Sequence, residues 1–358
     1  MIIGIDVREG IRQQRAGKGE YVYQLVSQLI NYSEHQFMLF SDANIPAEWQ
    51  LPHVVSKIWR VPGWWWQVLA ALQLNFNHPV DVYLSTTSVI VPALVRRLPV
   101  VTVLFDFVSF LFPKRHQLKA TLLEKMWMRP ALARSKALLA ISESTKNDAV
   151  KLFGINPDKI TVSYLGPAVA VQAAPIALPA SPIILFVGTL EPRKNVAMLV
   201  EAFNQLRRRA IDCSLVLAGG WGWQSAQIRG AVTASPYAAD IKVLGYVSEA
   251  QKTFLYQHAT VLAFPSRYEG FGMPPLEAMS EGLPVVTTNI SSLPEVVGDA
   301  ALLIGPDLAD ELSDALAQVL TDDSLRQRLV QAGLAQSKKF NWQNTADVTL
   351  RVLINARA

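Results

Sequence analysis

Short apolar runs rich in β-branched residues alternate with stretches in which apolar residues recur at helical spacing. Such uninterrupted apolar strands are typical of parallel sheets that are covered on both faces by helices. The candidate strands lie at residues 2–5, 36–40, 80–84, 100–104, 137–140 and 160–162, and then at 183–187, 214–218, 241–244, 260–263 and 284–287. This alternation predicts an α/β protein with two doubly wound, Rossmann-like domains.

A proline-rich stretch at residues 166–182 separates the two series of strands. It contains four prolines among many alanines, a composition that favours an extended linker. We therefore expect one domain at residues 1–170 and a second at 171–340, with a helical stretch at 310–331. Ligands of such domains bind at the carboxyl ends of the strands, so the expected site is a cleft between the two domains.

Composition and charge narrow the class of protein. Hydrophobic residues make up 51% of the 358 residues and charged residues 17%, so the chain can form large cores and is not a disordered segment. Residues 1–170 contain 18 Lys or Arg against 12 Asp or Glu, and residues 171–358 contain 15 against 17. The basic amino-terminal half faces either an anionic acceptor or membrane surface, or only solvent.

Cysteine content and hydropathy indicate the compartment. The single cysteine, Cys213, excludes an intrachain disulfide and fits a reducing environment. Residues 1–7 predict a buried strand instead of a secretory signal, and no apolar run reaches the roughly 20 residues that span a membrane. We expect a cytoplasmic protein, or one bound peripherally to the inner face of the membrane.

The densest local signal lies at residues 266–279, directly after an apolar run. Gly270 and Gly272 allow backbone amides to approach a ligand, and the helix that follows points its positive end at the same place. Glu269 and Glu277 flank this turn, and carboxylates accept hydrogen bonds from sugar and ribose hydroxyls. Without the glycine turn, each of the two acids would be read as a surface carboxylate on or just before a helix, with no ligand. With the glycine turn between them, the pattern favours a site for a sugar or a phosphate.

A second strand-to-helix turn, at residues 186–195, carries two adjacent cations. The apolar strand ends at Gly188, and Arg193 and Lys194 follow before a helix that begins near Val196. The helix dipole opposes cations at this end, so their placement suggests an anion nearby. They would neutralise the charge that develops on a diphosphate leaving group, unless they are only a solvated basic pair.

These two turns together resemble the family-four retaining glycosyltransferases of GT-B fold, the glycosyl transferases group 1. The resemblance rests on Glu269 and Glu277 with seven residues between them, and on Gly188 followed by Arg193-Lys194-Asn195. Further matching motifs are Gly245-Tyr246-Val247, Ala218-Gly219-Gly220, Ile141-Ser142-Glu143-Ser144 and Phe153-Gly154-Ile155. The likeness covers most of the chain, is densest in the second half, and implies two Rossmann-like domains that face each other across a cleft.

The resemblance implies roles by position. Glu277 would hold the ribose of the donor nucleotide and Glu269 the transferred sugar, while Arg193 and Lys194 would hold the diphosphate. The other implied donor-binding positions are Gly188, Tyr246, Val247, Phe271, Gly272, Met273 and Leu276. A glycine-containing loop after the first strand would meet the donor phosphate and the acceptor, and it comprises Gly17, Gly19, Glu20 and Tyr21. Residues 341–358 would form a helix that crosses back to the first domain.

One departure from the family pattern concerns catalysis. Many members have a histidine-aspartate pair after the fourth amino-terminal strand, with the histidine against the sugar, whereas this chain has Phe105 and Asp106. A phenyl ring cannot take a proton. The acceptor proton therefore goes to Asp106 or to the leaving phosphate, or the protein binds its donor without transferring the sugar. Glu269, Asp106, Arg193 and Lys194 are the candidate catalytic residues.

No metal and no other cofactor is predicted. The sequence lacks the Asp-x-Asp pairs that hold a divalent cation on a donor diphosphate. Five histidines lack the spacing of metal ligands, namely His35, His53, His78, His116 and His258. Arg193, Lys194 and a helix N-terminus would take the place of the metal.

A run of three tryptophans stands apart from these motifs. Trp64, Trp65 and Trp66 cannot all face one core, so at least one is expected to be exposed. With Lys57 and Arg60 nearby, an exposed ring would suit sugar stacking or a membrane interface. The alternative is a loop packed beside the helices of the first domain.

The sequence thus predicts a retaining, metal-independent hexosyltransferase of polysaccharide biosynthesis. It would move a sugar from a nucleotide-diphosphate donor, a GDP- or UDP-sugar, to a hydroxyl of a saccharide or lipid-linked acceptor. Peripheral membrane contact fits this function, and no nucleic-acid partner is expected. Two alternatives are a nucleotide-sugar epimerase and a non-catalytic nucleotide-sugar-binding protein.

Overall fold

A computed structural model describes residues 1–13, 15, 17–77, 79–112, 118–169 and 171–357, so His78 and His116 lie outside the described residues. The chain divides into two compact units. The first comprises Met1–Gly166 together with Asn341–Ala358, and the second comprises Pro167–Phe340.

The described part of the first unit contains a sheet of seven strands, all paired in parallel. The strands are β1 Ile2–Asp6, β2 Gln36–Ser41, β3 Val54–Ile58, β4 Val82–Ser85, β5 Val100–Leu104, β6 Ala137–Ala140 and β7 Ile160–Val162. The helices between them are α1 Gly17–Leu29, α2 Gly63–Phe76, α3 Ile90–Leu94, α4 Val108–Leu111, α5 Leu118–Arg134 and α6 Glu143–Phe153. The spatial order β3-β2-β1-β4-β5-β6-β7 is that of a doubly wound sheet, in which the chain starts centrally and winds outward.

The second unit repeats this architecture with six described strands, again all parallel. The strands are β8 Ile183–Val187, β9 Ser214–Ala218, β10 Ile241–Gly245, β11 Val261–Phe264, β12 Val285–Thr288 and β13 Ala301–Ile304. The helices are α7 Val196–Arg208, α8 Ala226–Thr233, α9 Glu249–His258, α10 Met273–Ser280, α11 Leu293–Val297, α12 Ala309–Thr321 and α13 Asp323–Ser337. The order β10-β9-β8-β11-β12-β13 confirms the predicted pair of Rossmann-like domains.

Three local expectations are corrected by the structure. The strands β3 and β13 were not predicted. In β3 the polar residues Ser56 and Lys57 interrupt the apolar run, whereas β13 is a short apolar run of four residues at an edge of the second sheet. The helical stretch at 310–331 is two helices, because the Asp322 carboxylate accepts the N–H of Leu325 and starts a new one. Residues 17–21 form the first turn of α1 and not a loop. A side chain at Gly19 would meet the Glu9 carbonyl at 2.8 Å, so glycine lets that turn approach the preceding segment.

The last helix, α14 at Trp342–Arg357, belongs to the first unit, where it packs on α1 and on β4 to β6. The Thr345 hydroxyl donates a hydrogen bond of 2.6 Å to the Tyr164 carbonyl. A side chain at Gly166 would lie 2.7 Å from the Trp342 backbone nitrogen, so this close approach requires glycine. Within the described ranges, no helix is both long enough and apolar enough to cross a membrane.

Candidate functional site

Three neighbouring strands of the second unit, β8, β9 and β10, end at or just before a glycine on one edge of the sheet. Gly188 and Gly219 adopt φ values of 146° and 150°, in a region that L side chains rarely enter. A side chain at Gly219 would lie 2.0 Å from the Gly188 carbonyl oxygen. The Gly219 N–H in turn donates to the Gly245 carbonyl at 2.7 Å. Because these residues have no side chains, the backbones at the ends of the three strands lie close together. They do so at the carboxyl edge of the sheet, where open α/β sheets bind ligands.

The two predicted cations follow β8 in a short 3₁₀ turn at Pro192–Lys194. Asn195 then takes a left-handed conformation, φ 57°, and redirects the chain into α7. Its side-chain amide donates to the Asp307 carboxylate at 3.2 Å. The turn is thus anchored at its carboxyl-terminal end, and the cations lie at the same sheet edge as the glycines.

Both cations contact the carboxylate of Glu269, which follows β11. The Lys194 ammonium lies 2.6 Å from Oε1, and an Arg193 guanidinium nitrogen lies 2.9 Å from Oε2. Arg193 also pairs with Glu191 at 2.8 Å, and the second oxygen of Glu191 accepts the Trp223 indole N–H at 2.9 Å. The structure therefore joins the two motifs of the sequence, 75 residues apart, in one charged cluster.

Burial and charge act in opposite directions on this cluster. Burial alone would raise the pKa of Glu269, but Arg193 and Lys194 outweigh it and hold the pKa at about 2. The pKa of Lys194 is lowered, because burial and repulsion by Arg193 exceed the attraction of Glu269. Glu269 is therefore a permanently ionised carboxylate at neutral pH.

The hydroxyl groups of two serines hydrogen-bond to the backbone of the loop between β11 and α10. The Ser291 hydroxyl accepts the Glu269 N–H at 2.9 Å, and Ser292 donates to the carbonyls of Glu269 and Phe271 at 3.0 and 2.6 Å. Gly272 has φ 110° and directly precedes α10. The loop thus leads directly into α10, whose positive end at Met273 follows Glu269 by four residues.

Glu277 lies on α10 and is also buried. Its two oxygens contact the Lys252 ammonium at 3.0 Å and the Tyr256 hydroxyl at 2.9 Å, both from α9. Burial raises the pKa of Glu277 in spite of the Lys252 charge. A carboxylate has room for further donors beyond these two, so ribose hydroxyls remain compatible with this arrangement.

The other predicted donor-site residues differ in exposure. Tyr246 is 65% exposed and Val247 is half-buried just after β10. The side chain of Leu276 is fully buried, and Phe271 is buried with its ring edge-on to Phe340 at 5.9 Å. Leu276 and Phe271 therefore contribute to packing through their side chains, and any ligand contact would come from backbone. Met273, at the start of α10, is half-buried.

The predicted residues of the first unit form a separate group. Tyr21 is buried and its ring packs edge-on against Phe105 at 4.9 Å. The Lys18 ammonium lies 5.4 Å from the Phe105 ring centre. Asp106 is half-buried and accepts the Val108 N–H at 3.2 Å. The Phe105 ring therefore packs against Tyr21 and lies beside the Lys18 ammonium.

The start of α1 carries the remaining predicted positions. Gly17 is exposed and Gly19 is buried. The Glu20 carboxylate accepts hydrogen bonds from Arg15 at 3.0 Å and from Gln24 at 2.6 Å. Glu20 therefore links Arg15, just before α1, to Gln24 within the helix.

Several residues that support the site were not singled out from the sequence. Lys252 and Tyr256 stand four apart on α9, so they share one helix face, a spacing that could have marked them. Glu191 lies two residues before Arg193 in the same turn, so its pairing with Arg193 is local. The serine pair carries no comparable signal, because the fold brings Ser291 and Ser292 to Glu269 from a separate loop.

Two of the described histidines, His53 and His258, contact backbone carbonyls. A ring nitrogen of His53 lies 2.8 Å from the Ile30 carbonyl, and one of His258 lies 2.9 Å from the Phe254 carbonyl. Over the described ranges, no group of three or more His, Cys, Asp or Glu side chains is arranged to hold a metal ion.

Comparison with known proteins identifies the class. Residues 174–336 match the family described as glycosyl transferases group 1, and residues 16–167 match glycosyltransferase family 4. O-antigen chain mannosyltransferase B of Escherichia coli is 34% identical over 261 residues, which cover 70% of this chain and 68% of that protein. Serotype-specific mannosyltransferase WbdA of Escherichia coli is 30% identical over 61% of this chain, but the match spans only 28% of WbdA.

A solved structure has the same fold. The Anabaena protein Alr3699/HepE, in complex with UDP-glucose, superposes with a TM-score of 0.76 at 19% identity, over 99% of this chain and 100% of that one. Its likeness shows the fold. The chain is a glycosyltransferase of GT-B fold, and it belongs to glycosyltransferase family 4.

Proposed function

We propose that this protein transfers a hexose, with retention of configuration and without a metal ion, from a nucleotide-diphosphate sugar to a hydroxyl of a saccharide or lipid-linked acceptor. The observation that carries the proposal is the cluster of Glu269, Arg193 and Lys194 beside the glycine-lined edge of the second sheet.

The two cations supply what a diphosphate leaving group requires. Arg193 and Lys194 are held by carboxylates in one geometry, so little side-chain entropy is lost when a donor binds. Their positive charge and the N-terminus of α10 would stabilise the departing diphosphate. In the free protein Glu191 and Glu269 balance these two charges. The proposal of metal independence rests on Arg193 and Lys194 as the cations that would meet the diphosphate in place of a metal ion.

The electrostatics of Glu269 support a holding role. A carboxyl group with a pKa of about 2 has no proton to donate at neutral pH, so Glu269 is not a general acid. Both its oxygens are ion-paired, which makes it a poor nucleophile. We assign it hydrogen bonds to the transferred sugar, and we assign Glu277 hydrogen bonds to the donor ribose.

The proposed reaction exchanges one bond at the anomeric carbon. The bond from that carbon to the diphosphate oxygen breaks, and the nucleoside diphosphate leaves with the electron pair. The acceptor hydroxyl oxygen bonds to the anomeric carbon from the same face, and its proton passes to Asp106 or to the departing phosphate. Phe105 takes no proton, so the transfer does not depend on a base at that position.

The relatives suggest which sugar and which setting to test. Two of them are named mannosyltransferases, and one carries an O-antigen chain in its name. The Anabaena neighbour was solved with UDP-glucose. We therefore propose mannose as the first sugar to test, GDP and UDP as the donor nucleotides, and polysaccharide assembly at the cytoplasmic side of a membrane as the setting.

The decisive experiment combines donor binding with turnover. A panel of GDP- and UDP-sugars is tested by thermal shift, since a ligand that binds the folded state raises the melting temperature by mass action. The selected donor is then incubated with and without saccharide acceptors, with and without EDTA, and the anomeric configuration of the product is read by NMR. Transfer with retention, unaffected by EDTA, is expected.

Each alternative has its own outcome in the same experiment. Conversion of the donor to an isomeric nucleotide sugar without acceptor would show an epimerase. Tight donor binding with no transfer, and none in Phe105→His, would show a non-catalytic binding protein. No thermal response to any nucleotide sugar would refute the donor site itself.

A further inference from the structure

Helix α2 of the first unit carries large apolar side chains on two faces. Its inner face packs into the core through Trp66, Ala70, Ala71 and Leu74. Its outer side exposes four others, with exposed fractions of 59% for Trp64, 50% for Trp65, 47% for Leu72 and 64% for Phe76. At about 100° per residue, Trp65, Leu72 and Phe76 fall within roughly 40° of one another around the helix axis. We call these four side chains the outer apolar stripe.

The stripe begins with a broad aromatic surface. The rings of Trp64 and Trp65 stack on each other with centres 3.9 Å apart and an angle of 28° between their planes. Stacking orders both rings at the surface without burying them. Indole rings favour the boundary between lipid and water, because they combine a large apolar area with an N–H donor. A contiguous exposed apolar surface on a folded domain marks an interaction site.

Basic side chains stand at the amino-terminal end of the stripe. The Lys57 ammonium lies 5.9 Å from the centre of the Trp59 ring, which packs edge-on against Trp66 in the first turn of α2. Lys57 is exposed on the edge strand β3, and Arg60 is exposed just before the helix.

Two further cations stand at the carboxyl-terminal end. The Arg97 guanidinium lies 5.4 Å from the centre of the Phe76 ring. The Arg96 N–H donates to the Asn75 side chain of α2 at 2.8 Å, which anchors this pair of arginines beside the helix end. Cations therefore flank the stripe at both ends.

Acidic residues are nearly absent from this part of the chain. Residues 49–105 contain four basic residues and one acid, Asp81. Asp81 accepts the Ile2 N–H at 2.7 Å and lies 3.7 Å from an Arg357 nitrogen, so its charge is compensated within the unit. Residues 49–105 therefore carry a net positive charge. A second copy of the chain would bring the same charge and be repelled, whereas an anionic surface would be attracted.

We propose that the outer apolar stripe of α2, with Lys57, Arg60, Arg96 and Arg97, binds the surface of an anionic lipid bilayer. The apolar side chains would enter the interface while the cations meet lipid phosphates, as for a helix that lies in the plane of the membrane surface. The binding itself is independent of the sugar chemistry. That it brings the enzyme to a lipid-linked acceptor rests on the proposed function.

The first test is vesicle flotation of the full chain. Vesicles of phosphatidylcholine alone are compared with vesicles of three parts phosphatidylcholine to one part phosphatidylglycerol. The protein is expected to float with the anionic vesicles, to bind the neutral ones much more weakly, and to be released from the anionic ones by salt.

Paired variants separate the apolar and the charged contributions. Trp64→Ser with Trp65→Ser is expected to lower the partition into anionic vesicles at least about tenfold, because two large aromatic surfaces are lost. Leu308→Ser with Ile354→Ser removes exposed apolar side chains elsewhere and should leave it within about twofold.

Neutralisation of charge gives a second, independent readout. Lys57→Gln with Arg60→Gln is expected to lower the partition by about fivefold per charge. The matched control, Lys338→Gln with Lys339→Gln, removes two exposed charges from the second unit and should change little.

Several outcomes would overturn the proposal. Wild-type protein that ignores anionic vesicles would do so, as would equal partition of wild type and the double tryptophan variant. A wild-type dimer that this variant converts to monomer, without vesicle binding, would assign the stripe to a second copy. Binding of soluble oligosaccharide without vesicle binding would assign it to a saccharide.

The assay also separates this proposal from the proposed function. The double tryptophan variant should keep the wild-type melting temperature, donor affinity and transfer to a water-soluble acceptor. Vesicle binding without sugar transfer would refute the proposed function alone. Transfer without vesicle binding would refute the membrane surface alone.

Discussion

Glu269→Gln tests the charged cluster most directly, because it removes one charge and keeps the shape of the side chain. In the folded protein the pKa of Glu269 is about 2, against an ordinary value of 4.5 for a glutamate. A difference of 2.5 pKa units at 1.36 kcal/mol each means that the ionised carboxylate stabilises the fold by about 3 kcal/mol at neutral pH. The side chain is buried between its two partners, so solvent screening takes little from this value.

The pH dependence has a defined sign. Because the pKa of Glu269 is depressed by folding, its contribution is present above the unfolded pKa and is lost as the pH falls through the folded pKa. The window runs from about pH 4.5 down to about pH 2. At about pH 3.5, roughly 2 kcal/mol of the contribution remains. The lowered pKa of Lys194 means that burial of the ammonium opposes folding, so the whole cluster stabilises the unit by less than the carboxylate alone.

The assay is urea unfolding of wild type and Glu269→Gln at neutral pH and at about pH 3.5. The free energy of unfolding should differ by about 3 kcal/mol at neutral pH and by roughly 2 kcal/mol at the lower pH. The control is Glu201→Gln, which removes a half-exposed carboxylate from its 3.0 Å pair with Arg208 and should lower stability by under about 1 kcal/mol. A difference below about 1 kcal/mol at neutral pH, or one that does not change with pH, would refute the reasoning.

Three further predictions follow from the site. Glu277→Gln should weaken binding of the nucleoside diphosphate about tenfold in calorimetry, because a charged acceptor for ribose hydroxyls is lost, while binding of inorganic diphosphate stays the same. Gly219→Ala should lower the free energy of unfolding by at least about 2 kcal/mol, since its new methyl group would lie 2.0 Å from the Gly188 carbonyl. The control Gly220→Ala points into open space and should change stability by under about 0.5 kcal/mol. Asp106→Asn should lower kcat for transfer about a hundredfold without changing donor affinity, and an unchanged kcat would assign the acceptor proton to the leaving phosphate.

The central strands could be predicted from the sequence, because each is a local run of apolar residues. Strands such as β5, β8 and β9 are buried on both faces, so their apolar runs were visible and their predicted bounds agree with the structure. The edge strand β3 was missed because Ser56 and Lys57 interrupt its apolar run. The edge strand β13 is apolar, so its omission has no such reason.

The residues of the site could be predicted from the sequence, but the contacts between them could not. Glu269, Arg193 and Lys194 were identifiable because each follows a recognisable strand in a glycine-containing turn. Their direct pairing was not predicted, because the 75 residues between the two turns carry no signal of distance. The depressed pKa of Glu269 follows only from that pairing and from burial, both of which are properties of the folded unit.

The run of three tryptophans also shows what the sequence could predict and what it could not. Composition alone determined that three adjacent tryptophans could not all be buried. Only the packing of α2 decided which were exposed, because the inner face of the helix takes Trp66 into the core and leaves Trp64 and Trp65 outside. Sequence thus determined the fold class, the family and the chemical types at the site. Tertiary structure decided which charges meet and which surfaces stay open, because pairing and exposure depend on residues that are distant along the chain.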